Sequence, residues 1–191
     1  MIVVLVRHAI AEERRPGLRD AARRLTPEGR EKLEQAAKGL KRLGVTPDRI
    51  LTSPLVRAAE TAAVLAEVLE TKARPETCGA LAPGHDPREV REALPADART
   101  VVLVGHEPDL GELASWLLTG SARGVQLPFR KAGAAAIEVE EGSATLRWMR
   151  RKIAADVCGG DWPSSRRTPT NPAPRASPFW RASSPGTSGS C

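Results

Sequence analysis

Two arginines and two histidines stand where chemistry explains them better than folding does. The stretch VVLVRHA (residues 3–9) runs four apolar residues straight into Arg7-His8, and VLVGHEPDL (residues 102–110) ends its apolar run in Gly105-His106. A third stretch, LTSPLVRAAET (residues 51–61), sets Arg57 in the first turn of an expected helix, just after an expected strand. Taken singly, each has a plain structural explanation: a loop histidine bonded to a carbonyl, or a solvated arginine. Taken together, they suit phosphoryl transfer. That reaction needs charge stabilisation on three equatorial oxygens and an in-line nucleophile. A neutral imidazole is a competent nucleophile, and a covalent intermediate splits one hard step into two. The guanidinium is a planar fork that grips phosphate oxygens, and a helix N-terminus adds free N–H groups and a favourable dipole. The sequence shows no DxD, no HExxH and no clustered Cys/His, so no metal or other cofactor is expected.

The elements that must hold these residues are legible from periodicity. MIVVLV is short, β-branched and wholly apolar, as a strand buried on both faces should be. LTPEGREKLEQAAKGLKRLG (25–44) predicts a helix capped by Thr26, with Pro27 in its first position and Gly44 as its stop. Leu33, Ala36, Ala37 and Leu40 fall on one face. RILTS predicts a second strand, and PLVRAAETAAVLAEVLE a helix starting at Pro54, with Leu55, Ala58, Ala62, Leu65 and Leu69 as its stripe and Arg57 off it. An extended segment is expected near 73–78 and a short helix over 87–95. TVVLVG and PDLGELASWLL repeat the strand-then-helix pattern. GAAAIEVE and ATLRWMR predict a late hairpin around Glu141-Gly142-Ser143. Alternation of this kind implies an α/β fold: a three-layer sandwich whose mostly parallel central sheet has helices on both faces. Sites in such sheets lie beyond the carboxyl ends of the strands, near a switch in strand order. His8 and His106 are both placed there.

Composition narrows the function classes. The 191-residue chain is 41% hydrophobic and 27% charged, ordinary for a globular protein, with only 3% aromatics and no Tyr. Half of the net charge of +6 comes from residues 159–191, where four arginines face one aspartate. The rest carries no basic stripe interleaved with aromatics, so specific nucleic-acid binding is not expected. Three cysteines without paired spacing indicate neither a disulfide framework nor a zinc site. The apolar run at residues 1–6 is too short for a signal peptide or a membrane span. A cytoplasmic monomer, with no membrane partner, is the expectation. From Gly159 onward, Pro, Ser, Gly and Arg dominate without periodicity. The chain is therefore read as a domain over 1–158 and a disordered tail over 159–191.

LVRHAIAEE, LTSPLVRAAETA and VLVGHEPDL together resemble the three signature blocks of the histidine phosphatase superfamily, with its phosphoglycerate-mutase-like fold. Short length, the LTPEGREKLEQAAKGL segment and the lack of a large cap insertion are similar to its SixA-type phosphohistidine phosphatase branch. The resemblance covers roughly residues 1–150. It implies that His8 is the phosphorylated nucleophile and that Arg7, Arg57, His8 and His106 form the phosphate pocket, with His8 and His106 catalytic. It implies a metal-independent phosphatase acting on a phosphohistidine-bearing signalling or phosphocarrier protein. The sequence departs from the family pattern at three points. Ala9 follows the nucleophile in place of Gly, and Glu107 follows His106 in place of Asn. Ala80 stands in CGALAPGHD where larger members carry an acidic proton donor. Candidate donors are Glu12, Glu13, His85 and Glu107. The SixA branch similarly lacks a clear acid, as suits a phosphorus–nitrogen bond that breaks without strong proton assistance. Two alternatives stand beside this reading: a small-molecule phosphomonoesterase on the same fold, and a catalytically weak phosphate-binding regulatory module.

Overall fold

Alternate residues of the first strand face opposite ways, and here both ways are apolar. In the computed structural model, which describes residues 1–150, strand β1 (Ile2–Arg7) sends Val4 and Val6 into one core cluster and Val3 and Leu5 into another. The first cluster is closed by helix α1 (Pro27–Arg42) and helix α2 (Val56–Val68). The second is closed by helix α3 (Pro87–Glu92) and helix α4 (Asp109–Thr119). The three expected layers are therefore present. The other strands are β2 (Arg49–Thr52), β3 (Pro75–Thr77), β4 (Thr100–Gly105), β5 (Ala134–Glu140) and β6 (Ser143–Arg150).

The sheet order is β3-β2-β4-β1-β5-β6. The first four strands are mutually parallel; β5 pairs antiparallel with β1, and β6 with β5. Strand β4 inserts between β2 and β1, and this makes the switch point. Its register with β1 sets Arg7 opposite Gly105, so His8 and His106 leave the sheet side by side.

Local chemistry explains the helix ends. The Thr26 side chain accepts from the Gly29 amide at 3.0 Å, and Pro27 opens α1 as expected. Gly29 is also a close approach: a Cβ there would lie 2.1 Å from the Ile10 carbonyl oxygen, on the segment that follows His8. Burying Leu33 and Leu40 completely contributes about 1.5–3 kcal/mol each. Helix α2 begins later than expected, at Val56 and not at Pro54. The Ser53 side chain accepts from the Leu55 amide at 3.3 Å, and this turn delays the first helical residue. The hairpin turn is tighter than expected: Ser143 already pairs with Glu140, and Gly142 takes φ +83°. The expected tail over 159–191 and the domain boundary at 158 lie outside the described residues.

Candidate active site

His8 is 4% exposed and His106 is 4% exposed, and their ring centroids are 4.9 Å apart. The Nδ1 of His8 lies 2.8 Å from its neighbour's carbonyl, that of Ala9. A carbonyl only accepts, so Nδ1 carries the proton and Nε2 of the neutral ring keeps its lone pair. That lone pair faces two cations: Arg57 Nε at 3.3 Å and Lys131 Nζ at 3.1 Å. Burial first, then Lys131, His106 and Arg57, hold the His8 pKa far below its ordinary value. The ring is therefore neutral and nucleophilic at physiological pH.

His106 is fixed differently. Its Nε2 lies 2.8 Å from Ser53 Oγ, a fully buried hydroxyl, while Nδ1 has no hydrogen-bond partner. Burial first and the cations Arg57 and Lys131 next push its pKa down to about 4.

Arg57 is buried, at 5% exposure. The expected apolar stripe of α2 does exist, but Arg57, Thr61 and Val64 are buried beside it, because this flank of the helix faces the histidine loop. Both terminal nitrogens of Arg57 are taken by Asp20. Nη1 donates to its carbonyl at 2.7 Å and Nη2 to its carboxylate at 3.0 Å. Only Nε is directed at His8. Asp20 also receives Arg23 and Arg14, and these hydrogen bonds hold its carboxyl well below the usual carboxylate range. Thr61 ties the assembly together: its hydroxyl donates to the Arg57 carbonyl at 2.7 Å and accepts from the Ala9 amide at 3.1 Å. Ala9 itself is 1% exposed and belongs to the core, so a methyl group fits where the family pattern has Gly.

Arg7 donates from Nη1 to the Phe129 carbonyl at 2.7 Å, and its buried Nε has no hydrogen-bond partner. Its charge helps to depress both His106 and Lys131. Glu107 supports it from behind. The Glu107 carboxylate accepts from the Phe129 amide and from the Gly111 amide, so it holds the residue whose carbonyl holds Arg7.

Three of the four candidate proton donors have other partners, and the fourth is exposed. Glu107 is bound to those two amides. Glu12 accepts from the Arg24 amide at 2.9 Å. Glu13 is exposed. His85 is exposed and bonds to Glu89 at 2.8 Å, on the rim of a shallow cleft shared with His106, Ala80 and Asp109. Ala80, in the short turn after β3, puts no acid there. Among the described residues, no group of three or more His, Cys, Asp or Glu side chains is arranged to hold a metal ion. No helix there is long and apolar enough to cross a membrane.

Sequence reasoning missed Asp20, Ser53 and Lys131. Ser53 had a weak signal in its place between a strand and a helix, but reads there as a turn residue. Asp20 and Lys131 are ordinary charges in polar loops, and nothing in their spacing marks them.

This sheet order and this paired-histidine pocket define a phosphatase of the histidine phosphatase superfamily, and comparison with known proteins agrees. Residues 3–82 match the family described as Histidine phosphatase superfamily (branch 1). An uncharacterized protein of Picosynechococcus sp. is 38% identical over 153 residues, covering 77% of this chain and 89% of that protein. The chain belongs to the histidine phosphatase superfamily. Among solved structures, the protein histidine phosphatase SixA complexed with tungstate superposes with a TM-score of 0.67 at 26% identity, over 78% of this chain and 96% of that one. This bears out the SixA-type resemblance. A mycobacterial glucosyl-3-phosphoglycerate phosphatase shares the fold, with a TM-score of 0.58 at 19% identity over 80% and 98% of the two chains.

Proposed function

We propose that the protein is a metal-independent phosphohistidine phosphatase acting on a phosphorylated protein. One observation carries this reading: an unprotonated, oriented His8 Nε2 lies in a cationic pocket, while the carboxylates of Glu12 and Glu107 are held by backbone amides. Nε2 attacks phosphorus, the phosphorus–nitrogen bond to the substrate imidazole breaks, and that imidazole leaves with the electron pair and takes a proton from solvent. Water then attacks the phosphoryl group on His8, releasing inorganic phosphate and restoring the neutral ring. Arg7, Arg57 and His106 stabilise charge on the equatorial oxygens in both steps. The Asp20 carboxylate, held ionised by three arginines, is a poor acid and cannot assist an alkoxide.

A general acid is worth roughly 10²–10⁴ in rate. A phosphohistidine peptide should therefore exceed phosphoserine in kcat/KM by about that factor, with aryl phosphates between the two. Equal rates for phosphohistidine and phosphoserine would refute the reading. Full activity in EDTA is expected, and a loss restored by added metal would remove metal independence.

A small-molecule phosphomonoesterase is the second reading. It has one structural feature in its favour: Asp109 stands in the cleft beside His106 with its Oδ2 buried and unbonded. An Asp109→Asn variant that lost phosphomonoesterase activity while keeping phosphohistidine turnover would favour it.

A further inference from the structure

We propose that Lys131 is a fifth phosphate-binding group, whose ammonium grips an equatorial oxygen of the phosphoryl group during its transfer to and from His8. The inference rests on the phosphoryl-transfer reading, and it does not depend on which leaving group the enzyme prefers.

Position is the first reason. Lys131 Nζ is 3.1 Å from the attacking nitrogen. In an in-line displacement the leaving group departs on the side opposite the nucleophile. A cation this near Nε2 therefore lies beside the equatorial oxygens. In the free enzyme the same ammonium donates to the lone pair, and it exchanges this bond for a phosphate oxygen when substrate enters.

Construction of the segment is the second reason. Lys131 lies 123 residues from His8, yet its turn is fastened to the catalytic strand end. The Arg7 amide donates to the Gly133 carbonyl at 3.0 Å, and the Ala132 amide reaches the His8 carbonyl at 3.5 Å. Ala132 has φ +56°, a left-handed conformation uncommon for a residue with a Cβ. Such conformations persist where the surroundings over-determine them, and they cluster at functional sites. This one aims Lys131 across the histidine.

Charge is the third. Asp20 accepts one N–H from each terminal nitrogen of Arg57, and Nε is the nitrogen of that arginine bonded to His8. Lys131 forms no salt bridge with a carboxylate among the described residues, so its charge is free for an anion. A lysine serves phosphate as a point charge, without the two-oxygen geometry of a guanidinium. The groups facing it are Arg7 and His8 from β1 and its end, Arg57 from α2, His106 after β4, and Arg23 and Asp20 from the loop before α1. Partial desolvation first, then Arg7, Arg57 and Arg23, push its pKa down to about 8, with Asp20 opposing. The bare enzyme therefore loses this charge at mildly alkaline pH.

The test uses tungstate as a phosphate analogue without a leaving group, together with kcat/KM for an aryl phosphate across pH. Lys131→Met should weaken tungstate inhibition about ten- to hundredfold and lower kcat/KM by a similar factor. Its melting temperature should be unchanged, because Lys131 as a residue is exposed and forms no salt bridge among the described residues. The alkaline fall of wild-type kcat/KM near pH 8 should vanish in Lys131→Met. In Lys131→Arg it should move beyond the ordinary lysine range, with most of the tungstate affinity kept. Wild-type tungstate affinity in Lys131→Met would overturn the proposal, as would an alkaline limb that persists unchanged in that variant. Weakened tungstate binding combined with equal turnover of phosphohistidine and phosphoserine would uphold the role of Lys131 and reject the phosphohistidine assignment instead.

Discussion

His8 and His106 occupy the same kind of place, each one residue beyond a central parallel strand, on neighbouring strands in register. They are equally buried and less than 5 Å apart by ring centroid, at 4.9 Å. Yet they are held by opposite nitrogens. His8 is anchored at Nδ1 by a carbonyl, which leaves the Nε2 lone pair facing Arg57 and Lys131; His106 is anchored at Nε2 by Ser53. A carbonyl dictates the tautomer, whereas a hydroxyl can donate or accept. The contrast teaches that residue type and topological position make a histidine available, and that the partner of its other nitrogen sets its task.

Removing each ring breaks the comparison most sharply. His8→Ala should lower turnover by at least about 10⁴-fold, as loss of a covalent nucleophile does, and abolish the trapped phosphoenzyme. His106→Ala should cost about 10²–10³-fold, typical of one charge-stabilising group, while a phosphoenzyme still forms on His8. Phosphoenzyme trapping with radiolabelled substrate decides between the two roles. A label retained in His8→Ala would move the nucleophile elsewhere.

Arg57→Lys tests the shared cationic wall. The variant keeps the charge but loses both contacts to Asp20 and the fixed Nε. A cost of about 2–4 kcal/mol in kcat/KM is expected. Unchanged kinetics would mean that the guanidinium geometry is irrelevant to the reaction.

The two rings should also be visible in stability. Both have folded pKa values below the ordinary histidine value of about 6.5. Below pH 6.5 the unfolded chain binds protons that the folded chain refuses, so stability rises with pH in that window and is flat above it. Between pH 6.5 and 5 each histidine should contribute a loss of up to about 1.4 kcal/mol per pH unit. Urea unfolding across this window should show a shallower dependence in His8→Ala than in the wild type. Identical slopes would show that His8 titrates normally in the folded protein.

The smallest effect is expected at the hydroxyl that distinguishes the rings. Ser53→Ala removes one hydrogen bond, worth about 0.5–1.5 kcal/mol, so kcat should fall about two- to tenfold. The fall should come with little change in KM, since His106 loses its orientation and the pocket keeps its charges. A KM-only effect would place Ser53 outside the catalytic machinery.

Much of this arrangement follows from the chain read in isolation. The period-2 and period-3.6 apolar patterns, the Thr26-Pro27 start of α1, and the Arg-His and Gly-His pairs at the ends of apolar runs are local signals. They remain valid whatever the rest of the chain does, and they are enough for the class of fold and for singling out Arg7, His8, Arg57 and His106. What only the tertiary structure decided is how those groups are wired. β4 inserts between β2 and β1, so residues 98 positions apart come to share a site. The terminal nitrogens of Arg57 go to Asp20, Glu107 accepts from two backbone amides, and Ser53 meets His106. Lys131, in a loop 123 residues from His8, lands on its Nε2 lone pair. Contacts of this kind depend on register between distant strands and on loop conformations set by closure of the whole sheet. A polar loop residue has no periodicity to announce them.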